Sequence, residues 1–151
     1  MAILHQSIPA IPKTMTTPHD PITRFLHATS FAVAGASRDR SKYGNIVFQA
    51  LVRSGRTTFP LNPSAESIEG YQAYPTLASV PASIEALSIV TPPHVTRQIV
   101  EQAIAAGVRV LWMQPGAEES IASQRAREAG IEVIDDGSCV LVALAIERKP
   151  S

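Results

Sequence analysis

Gly35, Ala36 and Ser37, followed at once by Arg38, Arg40 and Lys42, are the residues of this chain whose types and spacing could do chemistry. That chemistry is anion binding. Three small residues let backbone N–H groups turn outward, and three cations within five positions can supply charge-assisted hydrogen bonds to phosphate oxygens. Two elements must position them. Phe31-Ala32-Val33-Ala34 reads as a buried parallel strand, and Asn45 to Ser54 carries Ile46, Val47, Ala50 and Leu51 at helical spacing, with Gly55 as a left-handed cap. The cations then lie on a loop where a strand passes into a helix N-terminus. Taken alone, Gly-Ala-Ser could equally be a tight turn, and the cations an ordinary solvated loop.

The rest of the composition narrows the setting. A chain of 151 residues, 45% apolar, has the size of one domain with a substantial core. Thirteen basic and thirteen acidic side chains cancel, so no global field draws nucleic acid or an anionic membrane, and any anion site is local. The single cysteine excludes an internal disulfide, and no apolar run reaches the roughly 20 residues that span a bilayer, which makes the cytoplasm the expected compartment. His5, His19, His27 and His94 show no metal-ligand spacing, and no Ser-His-Asp or Cys-His arrangement emerges, so neither metal nor catalytic residues are assigned.

Along the chain, residues 1–20 are broken by Pro9, Pro12 and Pro18 and read as a flexible tail, with Met15 as an alternative start; residues 21–151 form the domain. Asp20 and Pro21 are suited to open a short helix reaching Ala28. Thr57 to Leu61 reads as a strand whose Pro60 calls for an edge or strand end. Residues 64–85 are irregular, with a helical turn at Thr76 to Val80. Further strands are expected at Ala86 to Val90, Val108 to Met113 and Ile131 to Ile134, with helices at His94 to Ala106 and Glu118 to Ala129, the latter carrying acidic residues in its first turn. Cys139 to Ile146 is read as an apolar C-terminal strand, a surface for packing on the sheet or for a homodimer. Repeated β-turn-α units predict a Rossmann-like, doubly wound α/β fold, with a mostly parallel five- to six-stranded sheet and helices on both faces. In such sheets ligands bind beyond the carboxyl ends of the strands. The candidate rim is therefore Gly35-Ala36-Ser37, Asn62-Pro63, Thr91-Pro92-Pro93, Gln114-Pro115-Gly116 and Asp135 to Cys139.

NAD is the obvious nucleotide, yet two of its marks are missing. The first turn lacks the second and third glycines of G-x-G-x-x-G, and the second strand ends in Leu61-Asn62 where a ribose-binding carboxylate would stand. No GxxxxGK[ST] loop is present either.

Val33-Ala34-Gly35-Ala36-Ser37, Pro60-Leu61-Asn62-Pro63, Tyr74-Pro75-Thr76-Leu77, Val90-Thr91-Pro92-Pro93, Ala103-Ile104-Ala105-Ala106-Gly107, Leu111-Trp112-Met113-Gln114-Pro115-Gly116 and Ala126-Arg127-Glu128-Ala129-Gly130 follow one another in an order and spacing that resembles the small single-domain CoA-binding proteins. Their fold is similar to the CoA-binding domain of the succinyl-CoA synthetase α subunit. The resemblance runs over roughly residues 24–139. It implies a coenzyme A pocket with the diphosphate over Gly35 to Ser37 and Lys42, with Arg38 or Arg40, on the phosphates. Asn62, Pro63, Thr91, Pro92 and Pro93 would wall the nucleotide, and the pantetheine arm would run toward Gln114 and Gly116. The chain departs from the family pattern of Arg-Cys after the last strand, having Ser138 before Cys139.

Cys139 reads as a small buried hydrophobe, with a mixed disulfide to CoA as the reactive alternative. Trp112 reads as core, His94 as a helix opener, and Asp135-Asp136 as a solvated cap. These readings favour a CoA-binding module with a carrier, sensor or regulatory role. An acyl-CoA-using or NAD(P)-binding enzyme subunit and an interaction protein with a vestigial cleft remain the competing classes.

Overall fold

A computed structural model describes residues 20–149. Apart from Asp20, the expected flexible tail and the alternative start at Met15 lie outside these residues. Five parallel strands form the central sheet: β1 (Phe31–Ala34), β2 (Thr58–Leu61), β5 (Ala86–Ile89), β6 (Val110–Met113) and β7 (Glu132–Ile134), in the spatial order β2-β1-β5-β6-β7. A short antiparallel hairpin, β3 (Ser67–Ile68) with β4 (Tyr71–Gln72), stands apart from it. Pro60 falls in the edge strand, as a residue without an N–H requires.

Alternation along each strand divides the core between two faces. Phe31, Val33, Ala86, Val110, Trp112 and Ile134 point to the side covered by α1 (Pro21–Leu26), α2 (Tyr43–Arg53) and α5 (Val140–Arg148). Ala32, Ala34, Leu87, Ile89, Leu111, Met113 and Val133 point to the side covered by α3 (Pro93–Ala106) and α4 (Ser120–Glu128). Almost every strand residue is buried, which is why the strands read as continuous apolar runs. The fold is doubly wound, as expected. Trp112 is fully buried and its indole N–H donates to the Ser138 carbonyl at 3.0 Å.

The sequence reading needs correcting in three places. Cys139 to Ile146 is a helix rather than a strand: Val140 and Leu144, four apart, are buried together, while Val142 and Ile146 face outward. The period is 3.6 rather than 2, and a short all-apolar run conceals the difference. Among the described residues the sheet therefore has five strands. The fourth helix, α4, starts at Ser120, so Glu118 and Glu119 precede it; Glu119 caps it by accepting from the Ala122 amide at 2.7 Å. The stretch 64–85 is not wholly irregular: it contains the hairpin β3–β4, and its helical turn is a 3-10 turn over Leu77–Ser79.

Candidate functional site

The chain reverses its winding direction between β1 and β5. From β1 it crosses through α2 to β2 on one side, and then passes to β5, β6 and β7 on the other. At such a switch point the flanking loops separate and leave a crevice beyond the carboxyl ends of the strands. Gly35, the first residue after β1, stands there with φ +90°, and a Cβ on it would overlap the Val90 carbonyl at the end of β5. Gly44, in the first turn of α2, meets the Gly35 carbonyl just as closely, so a Cβ there would also overlap backbone. Two glycines nine positions apart thus let α2 begin directly against the strand end.

Between them runs the loop 35–42. Among the described residues the amides of Ala36, Ser37 and Arg38 have no hydrogen-bond acceptor, and the α2 N-terminus adds its own free N–H groups. The rest of the loop is fixed by its own side chains. Ser37 Oγ accepts from the Asp39 amide at 3.0 Å, and Asp39 accepts from the Ser41 amide at 2.9 Å and the Ser41 hydroxyl at 2.7 Å. Those bonds to Ser41 hold the Asp39 carboxyl below its ordinary range and turn its charge back into the loop. Asn62, at the end of β2, donates to the Ala36 carbonyl at 2.8 Å and accepts from the Ser64 and Ala65 amides at 2.8 and 2.9 Å. A cleft of about 590 Å³, lined by Ser37, Arg38, Asp39, Asn62, Ser64 and Ala65, opens between the two loops.

The candidate residues divide according to what their polar groups already do. Gly35, Ala36, Ser37, Arg38, Asn62 and Pro63 come together around the cleft or its floor. Arg38 and Lys42 are exposed and make no ion pair among the described residues, Lys42 preceding the first turn of α2. Arg40 instead grips Glu69 of the hairpin with Nε and Nη2, each at 3.0 Å. Thr91 shares a 2.8 Å hydrogen bond with the buried Thr96 hydroxyl, and Pro92 and Pro93 open α3 at the surface beside it. Gln114 is fully buried: its amide donates to Ser88 Oγ at 3.2 Å and its carbonyl accepts from the Val140 amide at 2.9 Å. It holds the start of α5 against the sheet. Gly116 is exposed, with φ +98° and its amide donating to Glu118 at 2.8 Å.

Four residues of this region carried no assigned role in the sequence: Tyr43, Gly44, Asn45 and Glu69. Asn45 is fully buried and donates to both the Ser37 carbonyl and Glu69, each at 2.8 Å. The Tyr43 hydroxyl lies 2.6 Å from Cys139 Sγ at the N-terminus of α5, and burial, then that bond, pushes its pKa up. Cys139 is half-buried rather than wholly interior. A repeated glycine at nine-residue spacing and a polar residue inside the first turn of an apolar helix were signals that could have pointed to Gly44 and Asn45.

A second furrow, of about 530 Å³, runs between α1 and α5 and is lined by Ile22, Leu26, Trp112, Val142 and Ile146. Among the described residues Glu147 is its one charged lining residue, and an acid disfavours phosphate.

The strand order β2-β1-β5-β6-β7 defines a parallel α/β domain of the flavodoxin-like winding order, with its crevice at the β1–β5 switch point. A family described as a CoA binding domain matches residues 29–145, and the chain belongs to that family. Over 86 residues, 56% of the chain, it is 30% identical to the ADP-forming acetate–CoA ligase II subunit alpha of Pyrococcus furiosus. An ADP-forming acetate–CoA ligase I of Archaeoglobus fulgidus is 29% identical over 79 residues, 52% of the chain. The matched segments make up only 19% and 12% of those two proteins. Among solved structures, a conserved hypothetical protein from Pyrococcus furiosus superposes with a TM-score of 0.72 at 34% identity, covering 77% of this chain and 99% of that one.

Proposed function

We propose that this protein binds coenzyme A, free or acylated, at the β1–β5 switch point, as a cytoplasmic binding module with a carrier, sensor or regulatory role. The observation that carries the reading is the run of amides at Ala36, Ser37 and Arg38 with no acceptor among the described residues, in a loop whose Ser37 and Arg38 line a cleft and whose exposed Arg38 and Lys42 make no ion pair among those residues. A diphosphate needs several charge-assisted contacts to replace its hydration, and this loop offers them without rearrangement. In this reading Arg38 and Lys42 hold the phosphates, Asn62 and Pro63 wall the nucleotide on one side, and Thr91, Pro92 and Pro93 wall it on the other. The pantetheine arm passes toward Gly116, with Gln114 shaping the rim from beneath.

NAD is the poorer fit. Asn62 spends its carboxamide on backbone, leaving no carboxylate after β2 for a ribose diol. The ligase relatives contain this region as a small part of their length, so acid–thiol ligation forms no part of the proposal.

Native mass spectrometry and a thermal-shift titration test the reading. Coenzyme A is expected to raise the melting temperature while NAD and NADP leave it unchanged. A shift with NAD alone would reverse the assignment. A homodimer rests on the exposed Val142 and Ile146 of α5, and a monomer in sedimentation velocity at high micromolar protein removes it.

A further inference from the structure

Glu69 stands where side chains are rarely placed. It and Gly70 turn the β3–β4 hairpin with φ +51° and +82°, positions that favour asparagine and glycine, and Glu69 is the only non-glycine residue with positive φ among those described. Its side chain is only 14% exposed, whereas Arg40, which grips it in a two-point fork, is 79% exposed. The same carboxylate accepts from Asn45, and Asn45 in turn donates to the Ser37 carbonyl of the phosphate loop. A hairpin outside the sheet thus reaches the loop twice: at residue 40 through an ion pair, and at residue 37 through a buried amide. Arg40, with its fork committed to Glu69, does not line the cleft that Arg38 lines.

Resting on the coenzyme A reading above, we propose that Glu69 is a positioning residue for the nucleotide site. Through Arg40 and Asn45 it holds the loop 37–42 with its amides toward the cleft, and Arg40 serves as the counter-charge of Glu69 rather than as a phosphate ligand. A carboxylate held one side chain away from the phosphate loop would repel a diphosphate if left bare. Arg40 cancels that field and leaves Arg38 and Lys42 for the ligand.

The test is coenzyme A affinity by calorimetry for Arg40→Gln, Arg40→Gln with Glu69→Gln, and wild type, at low and high salt. Arg40→Gln is expected to weaken binding about tenfold at low salt, and less at high salt where the unpaired carboxylate is partly screened. Adding Glu69→Gln should bring affinity back to within about threefold of wild type, because the repelling charge is gone while the glutamine carbonyl can still accept from Asn45 and hold the loop at residue 37. A double variant as weak as Arg40→Gln would make Arg40 a ligand contact and overturn the proposal, as would an Arg40→Gln protein that binds normally. Hydrogen exchange on the ligand-free protein provides a second arm. The amides of Asp39, Ser41 and Lys42 should exchange about tenfold faster in Glu69→Ala than in wild type. Unchanged exchange rejects the positioning role even if wild type proves not to bind coenzyme A, an outcome that by itself removes only the function proposed above.

Discussion

Gly35 and Gly44 face each other where β1 passes the chain to α2, and neither can carry a side chain without pushing backbone apart. Gly44→Ala should therefore destabilise the domain by at least about 2 kcal/mol in urea unfolding, since the atom it meets is a main-chain carbonyl that cannot swing aside. Lys42→Ala and Arg38→Ala belong to another category. Both side chains are exposed, so stability should stay within about 0.5 kcal/mol of wild type while coenzyme A binding weakens by about tenfold for each, read by calorimetry. Unchanged affinity would remove that residue from the site. At this scale the sequence was legible where residue type alone implies a role. Gly35 announced a backbone turn, but the choice between Arg38 and Arg40 stayed open, because the two are chemically identical and Arg40 differs only in having Glu69 within reach. That partner is 29 residues away, on a hairpin not apparent in the sequence.

The elements are tied at their ends by a few polar anchors. Arg56, just after α2, donates to the Leu26 carbonyl at the end of α1 at 2.8 and 3.1 Å, and to Glu147 in α5 at 2.7 and 3.1 Å. Three helices on one face are joined through one guanidinium whose side chain is only 13% exposed. The Arg56 contact holds the Glu147 carboxyl below the usual glutamate range. A carboxylate with a depressed folded pKa contributes stability that is fully present above its unfolded value of about 4.3, and that is lost as pH falls through the folded value. Glu147→Gln should accordingly flatten part of the stability loss on the acid side of about pH 4.3 and leave the neutral-to-alkaline profile unchanged, as followed by urea midpoints across pH. An identical acid slope in the variant would show that the pair contributes nothing to folding. Most element types could be read from periodicity because their runs were long. α5 could not, because Val140 to Ile146 is apolar at every position, and only packing reveals that Val140 and Leu144 share the buried face.

Across the whole molecule, the winding order decides where a ligand can sit. With β1 and β5 adjacent and the crossovers leaving in opposite directions, the loops after these strands separate. The parallel, doubly wound class can be anticipated from repeated β-turn-α units, and so the carboxyl edge was identifiable from the chain, whereas the strand order was not. Which rim residues remain open was not identifiable, because Gln114, Thr91 and Asn62 each find partners only once the loops are folded together. The apolar furrow between α1 and α5 lies on the helical face over Trp112, and among the described residues its single charged lining residue is an acid. The two concavities make opposite chemical demands. Backbone NMR of the labelled protein titrated with coenzyme A distinguishes them in one spectrum series. The account predicts that the largest shifts fall on the amides of Gly35 to Arg38, Lys42 to Gly44, and Asn62, Ser64 and Ala65, with NAD producing none. Shifts confined to Ile22, Leu26, Val142 and Ile146, or a spectrum that coenzyme A leaves unmoved, would contradict it.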